Sequence, residues 1–535
     1  MKLKNTLSIK LVLLLIFVNG CQKFNNENQL VSIKNEISPK TENVDLKNYI
    51  TVLYVSSNIE IGNGTKKNPY NSIHKAIDEA IEKTAILVAK SDTIKNTIVL
   101  KENVHLFGGF NPETWERDLE RYSTIITSEN EQRLIVAKDS SQVDGFIIIN
   151  GKNRGNGTAI FCNGTSPIIS NNIFENNITL KPSIWAPKFW HETANDGGAV
   201  YGCNGASPEI RGNLFVNNKT ENGRGAAIAF NGNCNPLIIN NVFLNNIAGL
   251  DDTMRSSDGG AVSLFNWCKG TIKRNIFLGN KARSNNDAGA LFVALWSSPK
   301  IEDNYFIDNE AGDDAGALFV GGQEHRYDSP LDQYPPKDKF FVSIKNNIFI
   351  GNKNPSKNSG AMRFTMESRG EFIENIVAQN NGIYFQRSET NISNNIILDN
   401  MLVIETKKGL GKTTIKDNII WADFTHSQTE ADFINNRIYN FSENKMNQSI
   451  APSFIDDGIE LQVLSSYYLK KQNYSELIIN NNQKNQLGGL TNRIVRSINK
   501  WSLIKSFRNN VIQIWGDFSN VTNIQILPTY TLNEK

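Results

Sequence analysis

Histidine and cysteine are scarce, with 5 of each among 535 residues. No two histidines stand at ligand spacing, which argues against a histidine metal site. Charge is nearly balanced, 56 basic against 54 acidic residues for a net of +2, so no excess draws the chain to nucleic acid. Walker, Rossmann, zinc and catalytic-triad patterns are missing, which removes the common nucleotide and hydrolase classes. After the first twenty residues no apolar run is long enough to span a bilayer. Within the central region no stretch has the apolar spacing of a ten-residue helix.

What is abundant is repetition. The frame Asn-apolar-(Phe/Ile/Val)-x-x-Asn begins at Asn172-Ile173-Phe174 to Asn177. It returns from Asn213, Asn241, Asn275, Asn304 and Asn347, then in decayed form from Asn375 to Asn380, Asn395 to Asn400 and Asn418 to Asp423. Successive copies lie 20 to 43 residues apart, the range of a solenoid. A second phrase interleaves: Asp196-Gly197-Gly198-Ala199, Arg224-Gly225-Ala226, Asp258-Gly259-Gly260-Ala261, Asp287-Ala288-Gly289-Ala290, Asp314-Ala315-Gly316-Ala317 and Ser359-Gly360-Ala361. A third piece, such as Ser207-Pro208-Glu209-Ile210, sits between them. The shortest periods fit three short strands with turns; longer ones fit the same coil with surface loops.

The pattern predicts an all-β fold, a right-handed parallel β-helix over 51–423. Coils stack at the ~4.8 Å spacing of paired strands, so equal positions form columns. Asn in such a column can donate and accept along the stack. Codon bias would enrich Asn without holding it in frame nine times. The chain is expected to be one elongated, monomeric rod. The alternating Gly-Gly-Ala and Phe-x-x-Asn phrases resemble the repeats of chlamydial polymorphic outer-membrane proteins, which are β-helical surface adhesins. That family also carries a membrane barrel at its C-terminus, for which this sequence has no counterpart.

Ahead of the repeat, Lys2, Lys4 and Lys10 precede the apolar run Leu11–Val18, so 1–20 reads as a signal peptide. Val18-Asn19-Gly20-Cys21 resembles a lipobox, which implies lipidation at Cys21 and a lipoprotein of the outer membrane or cell surface. Residues 21–50 are polar and read as a disordered tether. Ser72 is placed as an N-cap. Ile73, Ala76, Ile77, Ala80 and Ile81 follow at helical spacing and predict an N-terminal capping helix. With Tyr54-Val55-Ser56, Gly64-Thr65, Pro69-Tyr70, Gly108-Gly109-Phe110 and Asp144-Gly145-Phe146, this segment resembles the start of exported pectate-lyase-like β-helix proteins. These include enzymes and non-enzymes, so the resemblance implies a fold and not a reaction. Residues 424–535 are read as C-terminal coils and a cap.

Candidate site residues come from columns and insertions. Asp258, Asp287 and Asp314 precede the same Gly-Ala step in successive coils, with Gly223 interrupting the column above them. Three carboxylates one strand apart repel unless protonated or bridged by a cation, so they are candidate Ca²⁺ ligands. In β-helix polysaccharide lyases, acidic clusters hold Ca²⁺ against a uronate, with Arg or Lys as base; Arg255 and Arg283 would be the cations here. The alternative is that each Asp accepts a backbone hydrogen bond at a turn. Trp185, Trp190 and His191 lie in an insertion, where such folds keep binding loops. Together with Trp267 and Trp296, these tryptophans are candidates for stacking on sugar rings or for anchoring. Cys162 with Cys203, and Cys234 with Cys268, are candidate disulfides, or else buried thiols. The expected function is surface binding of glycan or of host or matrix protein. The alternative is a polysaccharide lyase or glycoside hydrolase.

Overall fold

The computed structural model describes residues 39–57, 62–90, 96–183, 195–250, 257–322, 340–355, 359–406, 411–426, 431–439, 459–469, 474–480, 494–497, 500–515 and 517–526. The signal peptide, Cys21, Trp185, Trp190, His191 and Arg255 lie outside these residues.

The chain forms a right-handed parallel β-helix. One complete coil runs through four strands. Glu209–Arg211 gives way to Leu214–Val216, then the short Lys219–Thr220, then Ile228–Asn231. Each strand pairs in parallel with its counterpart one coil on: Glu209 with Leu237, Phe215 with Phe243, Lys219 with Ile247, Ile228 with Val262. The two-residue strand was not resolved in the three-strand reading of the repeat. It is too short to show a period. The first face stacks 14 strands, from Thr51–Ser56 to Ala431–Ile434. Two other faces merge near the end, where Ile396–Glu405 and Ile419–His426 each run as one continuous strand.

The core is a column of aromatic rings. Phe174, Phe215, Phe243, Phe277, Phe306 and Phe349 stack with centroids 4.6–5.0 Å apart and planes within 12° of parallel. Beside it run two amide ladders. Asn172, 213, 241, 275, 304, 347, 375, 395 and 418 lead to Asn436, while Asn177, 218, 246, 280, 309, 352 and 380 lead to Asp399. A typical rung, Asn280, accepts from the Asn246 backbone N–H at 3.0 Å and side-chain N–H at 2.9 Å. It donates to Asn309 Oδ1 and to the Phe243 carbonyl, both at 3.0 Å. Every donor and acceptor of a fully buried amide is used.

The residue before most rungs has positive φ, as at Asn176 (55°), Asn217 (55°), Asn245 (53°) and Asp308 (52°). Asn and Asp tolerate that left-handed region, which accounts for the Asn-Asn and Asp-Asn pairs of the repeat.

The ends differ from expectation. The helix Ile73–Glu79 exists, with the Ser72 hydroxyl capping His74 N–H at 3.2 Å. Ile73, Ala76, Ile77 and Ala80 enter the core, whereas Ile81 lies past the helix end and is exposed. Residues 39–50 of the expected tether are ordered against the first coils. Thr41 Oγ1 accepts the Leu119 N–H at 3.0 Å, and Tyr49 packs edge-on against Phe107. Beneath them Arg117 pairs with buried Asp144 and lies over the rings of Phe107 and Phe110.

The parallel pairing also outruns the predicted boundary at 423, reaching Arg437–Tyr439. In the lower ladder Asp399, not Asn400, receives Asn380. The frame slips there because the long strand is irregular between Leu398 and Met401. The expected C-terminal coils are instead a closed, six-stranded antiparallel barrel that opens at Ile459–Leu469. Its core is Leu461, Leu477, Ile479, Val495, Ile504, Ile512 and Ile514. Tyr474 and Leu469 of the barrel pack on Ile350, Ala378, Leu398 and Trp421 of the β-helix.

Candidate functional site

The acidic column is real, but its chemistry differs from the expected cation cluster. The turn before the Ile228–Asn231 face needs one residue in the left-handed region. Gly197, Gly225, Gly259, Ala288 and Ala315 fill it with φ of 59–75°. The residue just before that turn forms a column: Asp196, Arg224, Asp258, Asp287, Asp314. Asp196 Oδ1 accepts the Arg224 N–H at 2.7 Å, Asp258 Oδ1 the Asp287 N–H at 2.9 Å, and Asp287 Oδ1 the Asp314 N–H at 2.9 Å. The residue interrupting the acids is therefore Arg224 rather than Gly223. The repeat phrase hid this because matching Ala226 to Ala199 puts Gly223 at the acid position, whereas the Ala199 N–H bonds to the Ala227 carbonyl one residue on.

Arg224 is buried, with Nε 3.7 Å from Asp258 Oδ2 and its guanidinium 4.1 Å above the Phe265 ring. At 3.7 Å this is a charge pair rather than a hydrogen bond through Nε. At the far end Arg363 meets Asp314 and donates to Gln386 at 2.5 Å. Sequence reasoning missed both cations. Arg224 sat in plain view before Gly225; Arg363 gave no signal, since it falls on a different strand position. Arg283, the expected partner, is exposed.

Burial pushes the Asp258 carboxyl up to about 6, with the Arg224 charge opposing. Asp287 is driven well above the usual carboxylate range by burial and then by Asp258 and Asp314. Among the described residues, Asp287, Asp313 and Asp314 each bring one carboxylate oxygen within 4.8 Å of the others. Asp258 is not among them, so this trio differs from the Asp258, Asp287 and Asp314 expected from the sequence. The Arg363 guanidinium on Asp314 already supplies positive charge there.

The cysteines divide. Cys162 pairs in register with Gly202, while Cys203 pairs with Asn163. Cys162 therefore points into the core and Cys203 outward, where its thiol meets Asn163 Oδ1 at 3.4 Å. Equal distances to the prolines misled, because the turn before Pro208 is one residue longer. Cys234 and Cys268 do share a column: the Lys269 N–H donates to the Cys234 carbonyl at 2.7 Å. Both are buried free thiols, as are Cys162 and, less deeply, Cys203.

A family model described as a protein of unknown function, DUF1565, matches residues 57–284, from the end of the first strand to the coil of Phe277. No curated protein matches the chain, and no solved structure matches it.

Proposed function

We propose that this protein is a non-enzymatic surface binder, tethered through Cys21, whose rod engages an extended glycan. The observation that carries the reading is the fate of the acidic column. Asp258 and Asp287 each commit an oxygen to the backbone N–H of the next coil, and Arg224 and Arg363 bracket the acids. A lyase or hydrolase needs carboxylates within reach of substrate. Here the first is buried, and the column serves to register the coils.

A glycan array combined with an unsaturated-uronate assay on the same purified protein tests this. The expected result is retention on a glycan without product absorbance; uronate product would establish the lyase reading instead. Cys21→Ser should release the protein from membranes. Continued membrane fractionation with palmitate labelling would refute the anchor.

A further inference from the structure

In five coils the turn after the Ile228–Asn231 face holds two consecutive residues in the left-handed region. In two of them one of the pair is glycine: Asn204–Gly205 have φ of 56° and 80°, and Gly232–Asn233 84° and 56°. Three use none, one of them Met366–Glu367 at 55° and 57° and the other two adjacent. Asn266–Trp267 stand at 63° and 62°, and Leu295–Trp296 at 48° and 58°. Glycine and Asn accept this conformation at little cost and bulky side chains do not. Trp267 keeps 37% of its surface exposed, and Asn, which stands at this place one coil earlier as Asn233, would hold the same backbone at lower cost.

The two indoles form a unit. Their centroids are 6.2 Å apart at 40°, and Trp296 is braced edge-on by Phe340 at 5.1 Å. Trp296 packs on the core while Trp267 faces outward. A row of amides leads along the same edge toward the pair. Asn204 donates to Asn163 Oδ1 at 2.6 Å and Asn266 to Asn231 Oδ1 at 3.4 Å. Asn163, Asn204 and Asn266 are exposed, so each amide keeps hydrogen-bonding capacity toward solvent. With half-buried Asn231 between Asn204 and Asn266, the row places one amide on each of four successive coils, ~4.8 Å apart, close to the length of one sugar in an extended chain.

We propose that this edge is a binding subsite for a neutral polysaccharide, with one pyranose stacked on Trp267 and the next sugars hydrogen-bonded to the amide row. The negative face of the indole attracts the polarised C–H groups of a sugar face. Asn amides match hydroxyls as donor and acceptor. Lys269, two residues after Trp267, is a single cation and no basic cluster for a uronate polymer. The assignment rests on the glycan-binding reading and adds the site and the ligand class.

The test is pull-down of the full chain in detergent on insoluble cellulose, xylan, mannan and chitin, with calcium pectate gel as the acidic arm. Trp267→Ala and Trp267→Asn are compared with the parent; Asn suits the backbone, so it should keep or raise the melting temperature. The expected result is retention on a neutral polymer, weakened at least tenfold by both substitutions. Undiminished retention of the Trp267→Asn protein would overturn the subsite and leave glycan binding standing. Retention on pectate alone would overturn the neutral class. Failure of the parent to bind any of the five would overturn the glycan reading and the subsite with it.

Discussion

Asp258 and Asp287 are joined by a hydrogen bond from the Asp287 backbone N–H to Asp258 Oδ1 at 2.9 Å, so two like-charged side chains are held one above the other by the coil they register. The arrangement has a pH signature. A carboxyl raised in the folded state binds more protons there than in the unfolded chain, so its stabilisation is present below the unfolded value and is lost as pH rises through the folded one. For Asp258 the window runs from ~3.9, the usual aspartate value, up to about 6. Burial raises Asp287 as well. Thermal stability should therefore fall from pH 4 to pH 7, by roughly 3 kcal/mol for a two-unit shift. Asp287→Asn keeps the Oδ1 acceptor for Asp314 and removes a charge. Its melting temperature should exceed the parent's at pH 7.5 and match it at pH 4. Calorimetry at the two pH values would reject the repulsive column if the difference were the same at both.

Calcium distinguishes the acidic trio from a structural turn. A cation bound only by the folded state, at ~100-fold excess over Kd, adds about 2.7 kcal/mol. With Arg363 already on Asp314, the expected shift in melting temperature on adding Ca²⁺ is under half a degree, on the order of a tenth of that gain. A chelator-reversible rise abolished by Asp313→Asn would place a cation at Asp287, Asp313 and Asp314.

Phe277 is fully buried between Phe243 and Phe306. Phe277→Ala should cost roughly 3–5 kcal/mol, because rings above and below hold the cavity open. A denaturation midpoint equal to the parent's would remove the ring column from the account of stability.

Asn280→Asp probes the ladder. A carboxylate can still accept from Asn246, but it has no N–H for the Phe243 carbonyl or for Asn309 Oδ1, which keeps only the Asn280 backbone N–H. Two buried hydrogen bonds are lost, at about 1 kcal/mol each, and a carboxylate is buried in place of an amide. The chain itself places an acid only at the last rung, Asp399, where no further rung waits for a donor. Asn280→Asp should lower the denaturation midpoint sharply, and Asp399→Asn should lower it too, because Asp399 Oδ1 accepts the Gly382 and Asn400 N–H at 2.9 and 2.7 Å and an amide N–H there would face donors; an unchanged midpoint for either would contradict the directional ladder.

Thiol access follows register. In a Cys21→Ser background, Cys203 alone should react rapidly with a charged disulfide reagent in the native protein. Cys162, Cys234 and Cys268 are buried, and burial raises the Cys162 and Cys268 thiols. Fewer than four thiols after denaturation would instead reveal a disulfide.

The barrel docks through Tyr474, which is buried against Trp421 and Leu398. Tyr474→Ala should split a single calorimetric transition into two, with the barrel melting first. One unchanged transition would show that the contact carries no coupling.

The sequence alone determined the parallel β-helix. Equal residues one coil apart must stack, so Phe277 and Asn280 recur visibly in frame, and the Ser72 cap with Ile73, Ala76 and Ile77 announces the helix that closes the first coil. It also held a signal left unread, the Asn or Asp before most rungs, which marks a left-handed turn residue. Only the tertiary structure decided which side chains share a column. A one-residue difference in turn length sent Cys162 inward and Cys203 outward. Arg224 joined the acids through register, and Arg363 reached Asp314 from a strand whose place in the stack no repeat phrase marks. The antiparallel barrel was hidden for a related reason: its strands pair with neighbours of unlike sequence, so no repeat records them. A solenoid writes its period into the chain because each coil meets a copy of itself, whereas contacts between unlike surfaces leave no such trace.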